Sequence, residues 1–395
     1  GLPKVARRFV GEMLYGIQAS QSVVLTRIGR RLEEEISIKK VQERLGRQLM
    51  REELGPVVQR NLLKMAGGLV RRDTLVVLDI TDIRKRYAQK MEYLAGVRDG
   101  SEGEIGRGYW LLKVVATEVE GEGMVPLVGR LYSSEAPGHV SENAEMLDTM
   151  EMVAGAVKKR GIWVLDRGGD RRNLLEPMLE RGYRFLIRLL GSRHLMLGRD
   201  RACARDIAGE CPCPYRETVV KMEEGKEKVY HLEFGFRHIR LPGRPEVLGL
   251  IVVKGFGQEP MMLLTTEPLR KSRKVLWRLI RAYLRRWAIE ETIRFIKQSY
   301  DIEDVRVLGY KSLRNLMALV VAASYFAAVV LDTGAKLRVM AGHILKAAKR
   351  VFGIPDFHYY AIADGLMSIF MRYPGRIFRP SPGNLEQRPL FISDA

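Results

Sequence analysis

Apolar positions in the first 72 residues recur at helical spacing: Leu25, Ile28 and Leu32, then, after the Ile36-Ser37 break, Ile38, Val41, Leu45 and Leu49. The pattern predicts short helices with a tight junction, with Ser37 placed as the N-cap of the second. From Leu75 the period becomes that of strands. Leu75 to Ile80, Tyr109 to Glu118 and Met124 to Tyr132 are divided by glycine-rich turns, which predicts an antiparallel meander. A helix is expected over 141–160, a short buried strand at Ile162 to Leu165, a helix near 171–181 and a strand over 184–190. Period two returns between 192 and 266, in Thr218 to Met222, Val229 to Phe236, Val247 to Lys254 and Met261 to Thr265. A long basic helix is expected over 272–299, then helices up to Leu331 and a helical tail that ends in a proline-rich stretch. This order of elements reads as a mixed α/β layer arrangement.

At 395 residues and 46% apolar composition, the chain is expected to be folded, soluble and multidomain. Lysine and arginine number 66 against 47 acidic residues, a formal charge of +19. That balance points to a polyanion, with nucleic acid ahead of an anionic membrane surface or a ribosomal location. Residues 1–72 hold 15 basic and 7 acidic residues. They read either as a helix-turn-helix that meets DNA or as a helical packing domain with a solvated basic face. Three cysteines make no disulfide framework, and no N-terminal stretch has the form of a secretion signal, so a reducing cytoplasm is expected. The apolar run Leu316 to Leu331 falls short of the roughly 20 residues that cross a bilayer and reads as a buried helix, with no membrane partner.

Two aspartates follow apolar strands, Asp79 in LVVLDIT and Asp166 in IWVLDRGGD. If those strands are neighbours, both carboxylates emerge at one edge and can share a hard cation. In RAYLRRWAIEETIRFIK, Tyr283, Arg286, Glu290 and Lys297 fall within about 60° of helix circumference at roughly 100° per residue. Glu291 lies about 100° from Glu290, so the stripe selects Glu290. Ten basic and two acidic residues between Leu269 and Lys297 suggest that this face meets phosphate. Asp82 and Asp170 are acidic neighbours expected to be supporting or solvated. His194, Cys203, Cys211 and Cys213 are a conceivable zinc set without the paired C-x2-C hooks of common zinc sites.

The spacing Tyr-x2-Arg-x3-Glu-x6-Lys resembles the signature of bacterial insertion-sequence transposases of the IS-four type, and LDITD and LDRGGD resemble the contexts of that family's two catalytic aspartates. The resemblance covers residues 73–331. It implies an α/β, ribonuclease-H-like catalytic core (73–191 and 267–331) interrupted by a β-strand insertion subdomain (192–266). A helical N-terminal DNA-binding region (1–72) and a helical C-terminal region expected to serve dimerisation (332–395) flank it. It further implies that Asp79, Asp166 and Glu290 are catalytic and hold Mg²⁺ or Mn²⁺, two ions in all. Tyr283, Arg286 and Lys297 would then contact the DNA backbone, with Arg167 and Arg171 as further candidates. Double-stranded DNA, as terminal inverted repeats and as target, is the implied partner. A homodimer on DNA is implied, in the bacterial cytoplasm and at the nucleoid when bound. Cut-and-paste transposition is the expected activity. A nuclease without strand transfer and a catalytically silent DNA-binding protein are the alternatives. Relatives that pass through a DNA hairpin stack a base on a tryptophan of the insertion. None of Trp110, Trp163, Trp277 and Trp287 lies there, which leaves Phe234, Phe236 or Phe256 for such a role.

Overall fold

The computed structural model describes residues 2–98, 105–120, 123–223 and 226–330. Four helices open the chain: α1 (Lys4–Ser20), α2 (Leu25–Leu32), α3 (Ile38–Leu49) and α4 (Leu54–Gly67). Ile28, Val41, Leu45 and Leu49 are buried, so the helical spacing is the stripe that packs. Gly29 permits the close approach of α2 and α3, because a Cβ there would lie 2.9 Å from Ile38 Cδ1. Ser37 occupies the N-cap position of α3, but its side chain makes no capping hydrogen bond.

There follow β1 (Leu75–Arg84), β2 (Ala95–Arg98), β3 (Ile105–Thr117), β4 (Met124–Tyr132), α5 (Glu142–Ala156), β5 (Ile162–Leu165), α6 (Arg172–Glu180) and β6 (Phe185–Arg188). A small hairpin, β7 (His194–Leu197) with β8 (Asp200–Cys203), leads to α7 (Ala204–Gly209). The long strands β9 (Tyr215–Glu223), β10 (Lys226–Ile239), β11 (Leu248–Lys254) and β12 (Met261–Thr265) come next. The described chain ends with α8 (Arg273–Leu284), α9 (Ala288–Ser299) and α10 (Tyr310–Tyr325). The region 332–395, expected to be helical and to serve dimerisation, lies outside the described residues.

One mixed sheet of ten strands runs in the order β2-β3-β1-β5-β6-β12-β11-β10-β9, with β4 paired to β3, and helices flank it. The pairs β1–β5 and β5–β6 are parallel; the others are antiparallel. β5, with all four residues buried, has the continuous apolar sequence of a strand covered on both faces. The segment 192–266 extends this sheet, since β12 pairs with β6 through Leu264↔Ile187 and its neighbours. The single long helix expected over 272–299 is instead two helices, α8 and α9, joined by a tight 3₁₀ turn at Arg285–Trp287. No glycine or proline causes that break, which falls where Arg286 is drawn onto β1.

Helix α10 continues as a π-helical turn, Phe326–Val330, and packs on β4, α4 and α1. By length and composition the stretch Tyr310–Val329 resembles a membrane span, but most of it is buried inside the protein. Buried amides bind the N-terminal helices to α10. Asn315 accepts from Gly55 N at 2.9 Å and donates to the carbonyls of Leu49 and Arg51, both at 2.7 Å, which satisfies groups left over at the junction of α3 and α4. Gln18 Nε2 donates to the Tyr300 hydroxyl and to the Ala323 carbonyl.

The packing of α10 on β4 makes a pair of glycines informative. A Cβ at Gly129 would sit 2.4 Å from Val321 Cγ2, whereas Gly46, in α3, has open space around it. Gly129→Ala is expected to destabilise the protein by about 1–3 kcal/mol through overpacking. Gly46→Ala is expected to stabilise it by roughly 0.5–1 kcal/mol through helix propensity. Urea unfolding of the two variants, each against the parent, checks the opposite signs.

Candidate active site

Parallel pairing of β1 with β5 sets Val77 level with Val164. Two residues further on, Asp79 and Asp166 are level on adjacent strands. Asp166 follows the last residue of β5, but Asp79 stands in the middle of β1 rather than at its end, because β3 continues to pair with β1 as far as Arg84. Asp166 caps the 3₁₀ turn Arg167–Gly169, its Oδ1 accepting from Gly168 N at 2.7 Å. Asp79 Oδ1 accepts from Ile80 N at 2.9 Å.

Glu290 comes from the first turn of α9, and Arg286, in the 3₁₀ turn before it, joins it to β1. Arg286 Nη1 donates to Asp79 Oδ2 and Nη2 to Glu290 Oε1, each at 3.2 Å. The guanidinium side chain is only 9% exposed, while that of Glu290 is 40% exposed. Burial works against the Arg286 charge, but Asp79, Tyr283, Asp166 and Glu290 outweigh it and raise its pKa. Burial pushes Asp79 up to about 6, with Asp166 and Glu290 acting in the same direction and Arg286 and the Ile80 N–H against it.

The other residues expected on this face divide into several groups. Tyr283 is buried and lies beneath Arg286, ring centroid to guanidinium 6.0 Å, so it supports the arginine instead of facing outward. Lys297 pairs with Asp82 at 3.5 Å and Glu303 at 3.1 Å, which gives the buried Asp82 a supporting role. Arg167 is exposed beside Asp166. Arg171 is held by Glu142 at 2.6 Å and Asn143 at 3.1 Å, at the start of α5. Asp170 is buried and structural, accepting from Arg193 Nε at 2.6 Å and Leu190 N at 2.7 Å.

Aromatic residues proposed for stacking fare differently. Phe234 is buried and stacks on Trp277 at 5.8 Å, which makes it core. Phe236 is half-buried against His238, and Phe256 meets Tyr230. Trp287, next to Arg286, is 60% exposed and was assigned no role by sequence pattern alone. Lys113 was also missed. On β3 it stands opposite Asp79 of β1 in the strand register, is fully buried, and is held by that burial well below the usual lysine pKa.

Among the described residues no three His, Cys, Asp or Glu side chains are grouped so as to hold a metal ion. The zinc set is therefore not formed: Cys203 donates to Asp206 Oδ2, Cys211 to the Pro212 carbonyl and Cys213 to the Cys211 carbonyl. At the carboxylates, the positive charge between Asp79 and Glu290 is the Arg286 guanidinium. The donor set nevertheless suits a hard divalent cation, being all carboxylate oxygen, with one member, Asp79, whose pKa is raised first by burial and further by the neighbouring carboxylates.

That shift has a sign that can be measured. The folded pKa of Asp79, about 6 against an ordinary 3.8, means that the folded protein holds the proton more tightly. Its contribution to stability therefore falls as pH rises from about 4 to about 6 and stays unfavourable above. In chelator at pH 7.5, Asp79→Asn is expected to melt roughly 2–4 °C above the parent, and the gap should close near pH 4. Mg²⁺ should raise the melting temperature of the parent at pH 7.5 and leave Asp79→Asn unmoved, as calorimetry would record.

A model of the transposase DDE domain matches residues 72–326. No curated protein matches the chain. Among solved structures it is similar to a piggyBac transposase, determined by cryo-EM as a synaptic complex with hairpin DNA, with 9% identity and a TM-score of 0.38. The likeness covers 89% of this chain and 60% of that one, so the chain spans less than two thirds of the length of that transposase. The matched span includes Asp79, Asp166 and Glu290 and accounts for well over half of the sequence, and the chain belongs to the transposase DDE domain family.

Proposed function

We propose that this protein is a DNA transposase of the IS-four type, with a ribonuclease-H-like core that cuts DNA at the inverted-repeat ends of its element and joins the ends to target DNA. The observation that carries this reading is the meeting of Asp79, Asp166 and Glu290, from two adjacent parallel strands and a distant helix, around Arg286. Asp79, Asp166 and Glu290 would hold the divalent ions. Bound there, the ions would activate a water or a 3′ hydroxyl and stabilise the leaving oxygen at phosphorus.

The remaining residues position the chemistry. Asp166 is oriented by the backbone of its own turn, and Asp79 by the strand on either side of it, so neither depends on a mobile loop. Arg286 can give up Glu290 while keeping Asp79, since each has its own nitrogen. Arg167 is placed for a phosphate contact beside Asp166, and Lys297 anchors α9 through Asp82 and Glu303.

The N-terminal helices support a DNA-binding role. In α3, Lys39, Lys40 and Arg47 are exposed, while Arg44 is turned inward to Glu12 and Glu34. The exposed set lies on one side of a helix that packs tightly on α2, the arrangement a helix-turn-helix uses. A homodimer that processes two ends together completes the proposal.

The central test is cleavage and joining of a labelled terminal-repeat DNA, with Mg²⁺ or with chelator, by the parent and by Glu290→Gln. The parent should give metal-dependent cleavage and products joined to target, while the variant binds the end and yields neither. Cleavage without joined product would leave a nuclease, and binding without cleavage a silent DNA-binding protein. A second measurement addresses α3: replacing Lys39 and Lys40 together with Ala should flatten the log–log salt dependence of end binding by about 2. An unchanged slope would remove α3 from the interface.

A further inference from the structure

Between α7 and β9 the chain reads Cys211-Pro212-Cys213. Cys211 Sγ lies 3.6 Å from the Pro212 carbonyl oxygen and Cys213 Sγ 3.5 Å from the Cys211 carbonyl oxygen, so both thiols turn in on the same three residues. Several contacts fix the loop in this shape. Gly235 in β10 gives room to Pro212, for a Cβ there would come within 1.9 Å of the Pro212 carbonyl oxygen. Lys254 Nζ donates to the Gly209 carbonyl at 3.2 Å and Arg237 Nη2 to the Glu210 carbonyl at 3.3 Å, which ties the end of α7 to the sheet. Cys211 is buried, whereas Cys213 is half-buried between the exposed Pro212 and Pro214. One thiol can be reached from solvent, and the second stands behind it.

We propose that Cys211 and Cys213 are a reversible modification site, a redox pair that closes to an intrachain disulfide on reaction with a small-molecule disulfide. The difference in burial sets the order of events, since Cys213 is the thiol that solvent reaches first. The hydrogen bond from Cys211 and the nearby Lys254 bring Cys213 down to about 7, against the effect of burial, while the same hydrogen bond and burial push Cys211 up. Cys213 thiolate attacks one sulfur of the disulfide RSSR, the S–S bond breaks, and RS⁻ leaves and takes a proton from water. Cys211 then gives its proton to solvent and attacks Cys213 Sγ, and the second RS⁻ leaves and is protonated in turn. Two protein thiols are oxidised by two electrons and RSSR is reduced to two RSH.

The whole chain, incubated in mixtures of reduced and oxidised glutathione and followed by intact mass and peptide mapping, tests the proposal without reference to transposition. The parent and Cys203→Ser should each lose the mass of two hydrogens, link residues 211 and 213, and regain the mass in excess thiol. Cys211→Ser should stop as a glutathione adduct on Cys213, and Cys213→Ser should react at least about tenfold more slowly. The rate for the parent should climb through pH of about 7, below the 8.5 or so of a free cysteine. An adduct confined to Cys203, or equal rates for the parent and Cys213→Ser, would overturn the proposal.

Discussion

Arg286 gives one nitrogen to Asp79 and one to Glu290, each at 3.2 Å, and with Asp166 acting on it as well it is the cation that the three carboxylates share. Two like charges about 4 Å apart at an effective dielectric near 20 cost about 4 kcal/mol, comparable with the whole stability of many domains. Burial is the first cause of the raised pKa of Asp79, with the charges of Asp166 and Glu290 adding to it and Arg286 opposing it, so the guanidinium offsets only part of the cost of burying the carboxylate.

The rest of the architecture delivers side chains to this point. Parallel pairing of β1 and β5 is what puts Asp79 and Asp166 side by side, and the sheet continues on both sides of them, so the two strands cannot slip without moving every neighbour. Tyr283 closes off Arg286 from below, and the Lys297 pair with Asp82 fastens the far end of α9 to β1. Asn315 of α10 and Gln18 of α1, both buried amides, fasten the N-terminal helices to the same core. A DNA-contacting surface on α3 would thereby be held rigidly against the sheet and not tethered by a linker.

Local patterns in the sequence carried much of this and failed at identifiable places. The apolar runs around Asp79 and Asp166 and the fixed offsets from Tyr283 to Lys297 are local, and of the residues they single out Arg286 hydrogen-bonds both Asp79 and Glu290, while Lys297 pairs with Asp82 and Glu303. The offsets assumed one straight helix, however. In the structure Arg286 lies in a 3₁₀ turn, and its direction is set by a carboxylate 207 residues away, which no local periodicity encodes. For the same reason Tyr283, counted as part of a polar stripe, is buried. The continuity of the sheet through β6 and β12 was likewise hidden, since alternation reveals a strand but not its partner. Lys113 left no trace because a lysine in an apolar strand reads as an outward position until the register places it opposite Asp79.

Exposure across the site increases in one direction, and this bears on how a polyanion would reach it. Arg286 lies deepest, Asp79 and Asp166 are half-buried, Glu290 is more open than Asp79, and Arg167 and Trp287 are exposed. The carboxylates themselves repel phosphate, and the net charge of +19 acts only within a Debye length of about 10 Å at 0.1 M salt. Attraction at the site must therefore come from basic residues close to it. Several on α8 are already spent on acids of the sheet and its loops: Arg273 on Glu217, Arg278 on Asp73 and Arg281 on Glu120. Arg167, by contrast, is exposed directly beside Asp166 and follows it in the chain.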